Sequence, residues 1–508
     1  MTSATVQISS RTWSPQQEAI FFWFEQPAMG SPNLVVRARA GTGKTTTILE
    51  GVSRAPEQRI IFAAFNKRIA EELSAKNRNP NAEIKTLHAI GFACVRRYRE
   101  GIRIERQAGT RQNFLAESVC GAQAPDAIKR LVGKLVTKAR EMAPHATERG
   151  ELLDLIEEFE CNPDPQWLEA GFDADFIEAR ALDALKLAAD VKSGEEIDFA
   201  DMLFLPVRNH WLQPLYDLGV VDEAQDMSAT QLELFLGVIA KGGRIAVVGD
   251  DRQAIYAFRG ADSGSIDRLK AELNAEELGL TVTYRCAKVI VLEAQHLVPD
   301  LQAAASAPDG LLTALPSLEL LTAQAEPGDF ILSRTNAPLA KVAMALIRAN
   351  KRVRIQGKDI GAGLKALVKK IATGKAANSI AELLAKLERW EEKEVDRVMK
   401  AQRPDRAEGI RDKADTLRVL CEGVQGAREL EARLDTLFAD SGGAAVICSS
   451  VHKAKGLEAQ KVFVLFPTLY PKAPDGVKIT AARVREEQNI HYVAITRAIF
   501  HLVLVHAK

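Results

Sequence analysis

The sequence predicts an α/β fold with two doubly wound parallel-sheet cores, each interrupted by a mostly helical insertion. Short apolar runs of strand length alternate with helix-patterned segments near the start of the chain, and the same alternation returns in its second half. Two long segments between these blocks are helix-patterned almost throughout. Because strands that are separated by helices pair in parallel, the alternation indicates two separate parallel sheets.

The elements of the two cores follow in chain order. Strands of the first core are expected at 33–38, 59–65, 218–222 and 244–249, with helices at 44–52 and 67–75. Strands of the second core are expected at 329–333, 444–449 and 461–466. These positions predict a first core at 1–95 and 196–275 with a helical insertion at 96–195, and a second core at 276–356 and 441–508 with a short helical insertion at 357–440.

Composition excludes several classes of protein. The 508 residues correspond to roughly three to four domains, and 47% hydrophobic with 26% charged residues is ordinary for globular proteins, which excludes wholesale disorder and fibrous folds. Lys+Arg and Asp+Glu both number 67, so the net charge is zero. That balance argues against a protein that coats nucleic acid by bulk charge, although a local basic groove stays open.

Cysteine spacing and hydropathy indicate the compartment. None of the six cysteines lies in a Cys-x-x-Cys pair, so neither a disulfide framework nor a structural zinc site is expected. The first residues lack a charged segment followed by an apolar one, and no run reaches about 18 apolar residues. We therefore expect a cytoplasmic protein with no membrane partner.

A phosphate-binding loop is predicted directly after the first strand. Residues 38–45 (ARAGTGKT) fit the pattern G-x-x-x-x-G-K-[ST] except that an alanine replaces the first glycine. Such a loop points backbone N–H groups at a polyphosphate, its lysine reaches the β- and γ-phosphates and its hydroxyl holds Mg²⁺. The alternative is a glycine-rich turn that binds nothing. The predicted nucleotide-binding residues are Ala38, Arg39, Ala40, Gly41, Thr42, Gly43, Lys44, Thr45 and Thr46.

Acidic residues at the end of a later strand make nucleotide hydrolysis the better interpretation. Asp222 and Glu223 follow an apolar run, and the carboxyl ends of strands face the ligand crevice of an open α/β sheet. Asp222 with Thr45 is expected to hold Mg²⁺, and Glu223 to activate the attacking water. The alternative is a solvated acidic turn that caps the next helix. Together, loop and acidic pair predict an enzyme that hydrolyses ATP with Mg²⁺.

Short segments along the whole chain match, in order, the motifs of one family. They are 13–19 (WSPQQEA), 38–45 (ARAGTGKT), 64–67 (AFNK), 86–89 (TLHA), 222–226 (DEAQD), 248–261 (VGDDRQAIYAFRGA), 283–286 (TYRC), 333–336 (SRTN), 450–458 (SVHKAKGLE) and 492–498 (YVAITRA). On these segments the chain resembles the UvrD/Rep family of superfamily 1 DNA helicases. Phe258 replaces the usual tryptophan, Leu87 replaces phenylalanine, and the second insertion is shorter than is typical.

The resemblance implies two RecA-like cores with ATP in the cleft between them. Lys44 and Glu223 would be catalytic residues of the first core. The remaining nucleotide roles are also carried over from the family: Gln16 would read the adenine edge, Tyr284 would stack on adenine, Glu458 would contact the ribose, Gln253 would sense the γ-phosphate, and Arg285 and Arg497 would act as arginine fingers. Without the motifs, a salt bridge would be an equally good interpretation of either arginine.

The resemblance also implies a track for single-stranded DNA and for single/double-strand junctions. The expected DNA-binding residues are Thr86, His88, Tyr256, Phe258, Arg259, Arg334, Asn336 and His452. The two aromatic residues would stack on bases, which contributes about 1–3 kcal/mol per base. The alternative interpretation of the two aromatic residues is that they pack in the core. The alternative interpretation of either histidine is a buried structural role. No protein partner is indicated.

These expectations combine into an ATP-dependent DNA helicase that moves 3′ to 5′ on one strand and separates the duplex. One alternative on the same fold is a translocase that displaces bound proteins without processive unwinding. Another is a non-catalytic DNA-binding module with a relic nucleotide pocket, which the complete set of catalytic residue types disfavours. RNA as a substrate stays open, although the usual D-E-A-D-type motif is absent.

Overall fold

The structure is a computed structural model that describes residues 12–27, 32–159, 161–163, 165–255, 265–400, 407–439, 443–466 and 481–506. The described residues up to Pro163, from Gly171 to Asp251 and from 265 to Thr281 form one compact unit. Residues 165–170, 252–255 and those from Val282 onwards form a second unit.

Helices and strands alternate in the part of the chain that ends at Thr281, except that α5 to α9 follow one another without a strand between them. The helices are α1 (Pro15–Glu25), α2 (Lys44–Arg54), α3 (Lys67–Lys76), α4 (Leu87–Tyr98), α5 (Thr110–Cys120), α6 (Asp126–Met142), α7 (Leu153–Glu158), α8 (Pro165–Leu168), α9 (Ala174–Ala189), α10 (Phe199–Arg208), α11 (Ala229–Gly237) and α12 (Ser265–Glu272). The strands are β1 (Leu34–Ala38), β2 (Ile60–Ala64), β3 (Ala82–Thr86), β4 (Arg103–Ile104), β5 (Glu196–Ile197), β6 (Tyr216–Val221), β7 (Ile239–Gly249) and β8 (Glu276–Leu280).

The first unit is built on a six-stranded parallel sheet with the order β3-β2-β6-β7-β1-β8. Successive side chains of a strand point to opposite faces. In β1, Leu34 and Val36 therefore pack with apolar side chains of α1 and α2, whereas Val35 packs with those of α4, α10 and α11. Helices cover both faces, so the central strand β2 is apolar throughout rather than alternating, whereas the edge strands β3 and β8 carry charged residues.

A buried network of charges joins the first helical insertion to α10. Arg140 of α6 is fully buried and pairs with Asp198 at 2.9 Å and with Asp201 at 2.7 Å. Arg111 of α5 pairs with the other oxygen of Asp201 at 3.1 Å. Burial raises the pKa of Asp201, and the charges of Arg140 and Arg111 oppose that rise. Each buried charge thus has partners, which burial of ions requires.

The second unit continues the chain with a further series of elements. Its helices are α13 (Lys288–Gln295), α14 (Leu318–Gln324), α15 (Ala337–Arg348), α16 (Lys358–Ile371), α17 (Ile380–Lys400), α18 (Ala407–Leu420), α19 (Ala427–Leu437) and α20 (Ala481–Ile495). Its strands are β9 (Val282–Thr283), β10 (Gln302–Ala303), β11 (Leu311–Leu315), β12 (Phe330–Ser333), β13 (Val353–Ile355), β14 (Val446–Ser450), β15 (Ala459–Leu465) and β16 (Ala498–Val505).

A second six-stranded parallel sheet has the order β11-β16-β15-β12-β14-β13. The helices α16 to α19, which correspond to the predicted second insertion, do not form a core of their own. Leu367 of α16 and Leu430 of α19 belong to the same hydrophobic cluster as Leu339 of α15 and Val446 of β14. The insertion is therefore an extension of the core of this unit.

The predicted fold class, with two parallel-sheet α/β cores, is confirmed. The predicted strands are found, with β7 beginning at Ile239 rather than at 244. Two details differ from the expected boundaries. The sheet of the first unit continues past residue 275, because β8 pairs with β1. Gln253, expected in the first core, belongs to the second unit because its contacts are with Lys455 and Arg497.

Two further expectations concern cysteines and membranes. All six cysteines are free thiols, as their spacing predicted. Among the described residues, no helix is both long and apolar enough to cross a membrane.

The buried charge network generates a prediction about stability. Replacing Arg140 with alanine should lower the free energy of unfolding by about 3–5 kcal/mol, because Asp201 would remain buried with too little opposing charge. Urea unfolding followed by circular dichroism measures this loss. The control is Lys76→Ala, since Lys76 forms an exposed i,i+4 pair with Glu72 whose loss costs less than about 1 kcal/mol. Equal losses in the two variants would contradict a stabilising role for the network.

Candidate nucleotide-hydrolysis site

The predicted phosphate loop connects the end of β1 to the first turn of α2. Gly41 and Gly43 have φ angles of +72° and +79°, a left-handed conformation that favours glycine. The Thr42 hydroxyl donates to the Arg39 carbonyl at 2.8 Å and closes the loop. Lys44 begins α2, so the loop ends at the positive end of a helix dipole, which favours anions.

The acidic residues predicted at the end of β6 meet this loop. The Lys44 ammonium lies 3.0 Å from Oε1 of Glu223, and the Thr45 hydroxyl donates to Oδ2 of Asp222 at 3.1 Å. The loop and the acidic pair lie far apart in sequence. They meet because β1 and β6 run parallel in one sheet, with only β7 between them. The structure thus brings together four of the predicted residues.

Burial and charge determine the protonation of these groups. Burial disfavours the Lys44 ammonium, but the carboxylates of Glu223, Asp222 and Asp250 outweigh burial and raise its pKa above the ordinary value. Burial, together with the charge of Glu223, raises the pKa of Asp222, and Lys44 opposes that rise. Lys44 therefore stays charged at neutral pH, as a phosphate ligand must.

The donor set fits Mg²⁺ bound with a nucleotide. The Thr45 hydroxyl and the Asp222 carboxylate are adjacent hard oxygen ligands. Within the described part of the chain, no group of three or more His, Cys, Asp or Glu side chains could hold a metal ion. Mg²⁺ does not require such a cage, because it commonly takes one or two protein ligands and completes its shell with phosphate oxygens and water.

Two glutamines of α1 make contacts near the phosphate loop: Gln16, which was predicted as an adenine contact, and Gln17, which was not selected. Gln16 exchanges hydrogen bonds of 2.9 and 3.0 Å with the side chain and the backbone of Thr281. Its neighbour Gln17, which sequence analysis did not select, is buried and donates to the Thr47 hydroxyl at 2.9 Å. Gln17 also closes the capping box of α1 with Ser14, a local S-x-x-Q pattern that was visible in the sequence.

In the second unit, four of the five predicted nucleotide residues form one cluster. Arg497 is buried and donates to the carbonyl of Leu457 at 3.1 Å, and its Nη2 lies 3.5 Å from the amide oxygen of Gln253. Arg285 pairs with Glu458, two residues for which the resemblance implied separate roles. Tyr284 has half its surface exposed.

Two predicted DNA contacts border a groove on the first unit. Thr86 caps α4 by accepting from the Ala89 amide at 3.1 Å, and His88 lies in the first turn of that helix. Burial lowers the pKa of His88, so its ring is neutral near pH 7. The groove has a volume of about 630 Å³ and is lined mainly by apolar surface, with Lys67 and Lys85 at its border.

Phe199 is the residue that sequence analysis missed in this groove. Its ring is 63% exposed and meets the His88 ring edge-on, with 6.0 Å between the centroids. It stands at the first position of α10, between Asp198 and Asp201, which cap that helix reciprocally. The sequence did contain a pattern that could have drawn attention to Phe199: an aromatic residue between the two acidic residues of a capping box.

The predicted DNA contacts of the second unit are held by other side chains. Arg334 is largely buried and pairs with Glu487 at 3.0 Å, and the Asn336 side chain donates to Asp412 at 2.9 Å. Burial, together with the charges of Arg334 and Arg483, lowers the pKa of His452 to about 3, so its half-buried ring is neutral. Three further predicted contacts, Tyr256, Phe258 and Arg259, lie outside the described residues.

Comparison with known proteins identifies related domains in both halves of the chain. The UvrD/REP helicase N-terminal domain matches residues 22–274, and the UvrD-like helicase C-terminal domain matches residues 430–508. The chain is similar to a probable DNA helicase II homolog of Mycoplasma pneumoniae, with 26% identity over 54% of this chain and 41% of the relative. It is also similar to the ATP-dependent DNA helicase Rep of Escherichia coli, with 32% identity over 22% of this chain and 18% of the relative.

A eukaryotic relative shows the same extent of similarity. The F-box DNA helicase protein 1 of Schizosaccharomyces pombe is 26% identical over 52% of this chain and 30% of the relative. The matches therefore span less than half the length of these relatives. The two domain matches cover the phosphate loop, the acidic strand end and the Arg497 segment, in the order of the family. The chain belongs to the UvrD/Rep family of helicases.

Proposed function

We propose that the chain hydrolyses ATP with Mg²⁺ and uses the energy to move along single-stranded DNA and separate the duplex. One observation carries the proposal: Lys44 and Thr45 of the phosphate loop contact Glu223 and Asp222. Nucleotide hydrolysis needs a phosphate-binding cation, a metal-binding pair and a carboxylate base within one site. All of these groups meet at the carboxyl edge of the first sheet.

The proposed chemistry assigns one task to each of these residues. Lys44 neutralises the β- and γ-phosphates, and its raised pKa keeps it charged for that purpose. Thr45 and Asp222 would hold Mg²⁺, which when bound offsets the negative charge of the phosphates. Glu223 accepts the proton of the attacking water. Before that step its carboxylate is stabilised by the charge of Lys44.

The second unit is proposed to supply positive charge to the terminal phosphate. Arg285 and Arg497 are the residues that the family resemblance selects for this role. The proposal is supported by the contacts of these arginines with other predicted nucleotide residues: Arg285 pairs with Glu458, and Arg497 contacts Gln253. The burial of Arg497 and its hydrogen bonds to Val493 and Leu457 hold its guanidinium in one orientation, which electrostatic stabilisation of a transition state requires.

The proposed DNA site includes the groove beside His88 and Phe199. An exposed aromatic ring gives a base a surface on which to stack, and stacking does not depend on sequence. Lys67 and Lys85 also line the groove, each in an exposed ion pair with an acidic neighbour, Glu71 or Glu83, that the phosphate backbone would replace as its partner. Movement from 3′ to 5′ is proposed from the resemblance to the UvrD/Rep family, and the names of the relatives support DNA as the substrate.

Two alternatives differ from this proposal in what they predict. A translocase that only displaces bound proteins would hydrolyse ATP on single-stranded DNA without opening a duplex. A binding module with a relic pocket would bind DNA without ATP turnover. An ATPase assay with and without single-stranded DNA, followed by strand displacement with and without a protein roadblock, separates all three.

The first functional prediction concerns the ion pair between Lys44 and Glu223. Lys44→Ala should abolish ATP turnover, because it removes the cation of the phosphate loop. Glu223→Gln should still bind ATP but hydrolyse it at least ~10²-fold more slowly, since a general base contributes at least that factor. Phosphate release measured with single-stranded DNA tests both variants.

The matched controls for this pair are Lys76→Ala and Glu72→Gln. These residues form an exposed ion pair in the same unit, and their replacement should leave turnover unchanged. Near-normal hydrolysis in the Glu223 variant would remove that residue from the role of base.

The second functional prediction concerns Phe199. Phe199→Ala should weaken binding of a single-stranded oligonucleotide by about 5-fold to 10²-fold, which corresponds to the loss of one base stack of about 1–3 kcal/mol. Fluorescence anisotropy with a labelled oligonucleotide measures the affinity. Phe22→Ala is the control, because Phe22 is equally exposed, at 64%, but lies on α1 away from the groove. Equal losses of affinity in both variants would contradict a specific stack at Phe199.

The third functional prediction concerns the direction of movement. A duplex with a 3′ single-stranded tail should be opened in preference to one with a 5′ tail, because a motor moving 3′ to 5′ on the tail meets the junction. Strand displacement with the two substrates at equal concentration is the measurement. A preference for the 5′-tailed duplex would refute the proposed direction while leaving ATP hydrolysis intact.

A further inference from the structure

Gln225 lies beside the proposed catalytic carboxylate and has no assigned role. It is fully buried in the short turn that follows β6, two residues after Glu223. Its Nε2 donates to Oε2 of Glu223 at 2.5 Å, and its Oε1 accepts from the backbone N–H of Asp250 at 3.1 Å. The side chain therefore connects the end of β6 to the end of β7.

The backbone determines which way this amide points. The N–H of Asp250 can only donate, so the atom that faces it must be the oxygen of the amide. The NH₂ group then faces Glu223, which as a carboxylate can only accept. Neither bond survives a flip of the amide. The orientation thus follows from the chemistry of its two neighbours.

The close packing around the amide adds a further constraint. A Cβ atom at position 249 would lie 2.5 Å from Oε1 of Gln225, a contact that side chains do not make. Glycine at the last position of β7 therefore leaves room for the amide. Asp250, whose backbone N–H binds Oε1, is itself fully buried and pairs with Arg39 of the phosphate loop at 3.1 Å.

Glu223 also has an unusual backbone conformation. Its φ angle is +55°, in the left-handed region that non-glycine residues rarely adopt. Lys44 contacts Oε1 of the carboxylate, and Gln225 donates to Oε2. Lys44 is also proposed to bind phosphate. Gln225, in contrast, has no proposed contact with phosphate.

We propose that Gln225 is a positioning residue for ATP hydrolysis, which holds the Glu223 carboxylate towards the attacking water by a hydrogen bond anchored on the backbone of Asp250. This proposal rests on the proposed ATPase function. Gln225 touches neither nucleotide nor water in this role and acts only through Glu223. Its removal should therefore impair the chemical step rather than the binding of ATP.

The test is a double-mutant cycle between Gln225 and Glu223, with kcat and KM for ATP measured on single-stranded DNA. Gln225→Ala should lower kcat on the order of 10-fold to 10²-fold, the scale for misplacing a catalytic group, with KM changed by less than about 3-fold. In the background of Glu223→Gln it should lower the remaining rate no further, because residues that act as a unit are not additive.

A second variant separates positioning from packing. Gln225→Met keeps nearly the length of the side chain but removes the donating NH₂ without burying a charge, so it should lower kcat about as much as alanine although it fills the space that alanine leaves empty. Gln58→Ala, at an exposed glutamine of the same unit, is the control that should leave kcat unchanged.

The possible outcomes distinguish this proposal from the function on which it rests. Normal kcat in Gln225→Ala or Gln225→Met, or an equal further loss in the Glu223→Gln background, overturns the role of Gln225 and leaves the ATPase function intact. Absence of ATP turnover in the wild type overturns both.

Discussion

The placement of the largely buried ammonium of Lys44 is the constraint on which the first unit depends. Its charge is tolerated because three carboxylates, from Asp222, Glu223 and Asp250, lie close to it. These acids follow β6 and β7, and Lys44 follows β1. Only a parallel sheet in which these strands are neighbours brings all of them to one edge. A strand order that separated β1 from β6 and β7 would leave buried charge without compensation, which costs several kcal/mol. The same edge consequently contains the groups needed to bind and hydrolyse a nucleotide.

Charge compensation also shapes the groove on this unit. Arg140 and Arg111 of the insertion pair with Asp198 and Asp201 at the start of α10. Phe199 lies between these two acids, and both are held in place by ion pairs and by the capping box. The first turn of α10 is thereby rigid, so the exposed ring stays beside the His88 ring on α4. The proposed stacking surface is supported in this way, so the stacking of a base on it would cost little conformational entropy.

The two insertions are attached by different physical means. The first is joined to α10 by buried ions, whereas α16 to α19 share one hydrophobic cluster with the sheet of the second unit. Hydrophobic burial is non-directional, and the helices of this insertion contribute leucines such as Leu367 and Leu430. A specific contact adds to this hydrophobic packing. The carboxylate of Asp412 in α18 accepts hydrogen bonds from the backbone N–H groups of Asn336 and Ala337 and so caps α15. The motif at the start of α15 is thus held by the insertion itself.

The sequence by itself determined the parts of this protein that depend on local pattern. Apolar runs predicted the four central strands of the first sheet and β12, β14 and β15 of the second, although not the other strands of the two sheets. The spacing of glycines, Lys44 and Thr45 predicted the phosphate loop, because loop conformation depends on adjacent residues. Only the tertiary structure decided the partners of side chains that meet across the fold. Arg334 pairs with Glu487, 153 residues away, and Asn336 with Asp412, 76 residues away. Likewise, the amide of Gln225 reaches Asp250 only because β6 and β7 are neighbours. Such pairings follow from strand order and helix packing, which no local pattern contains.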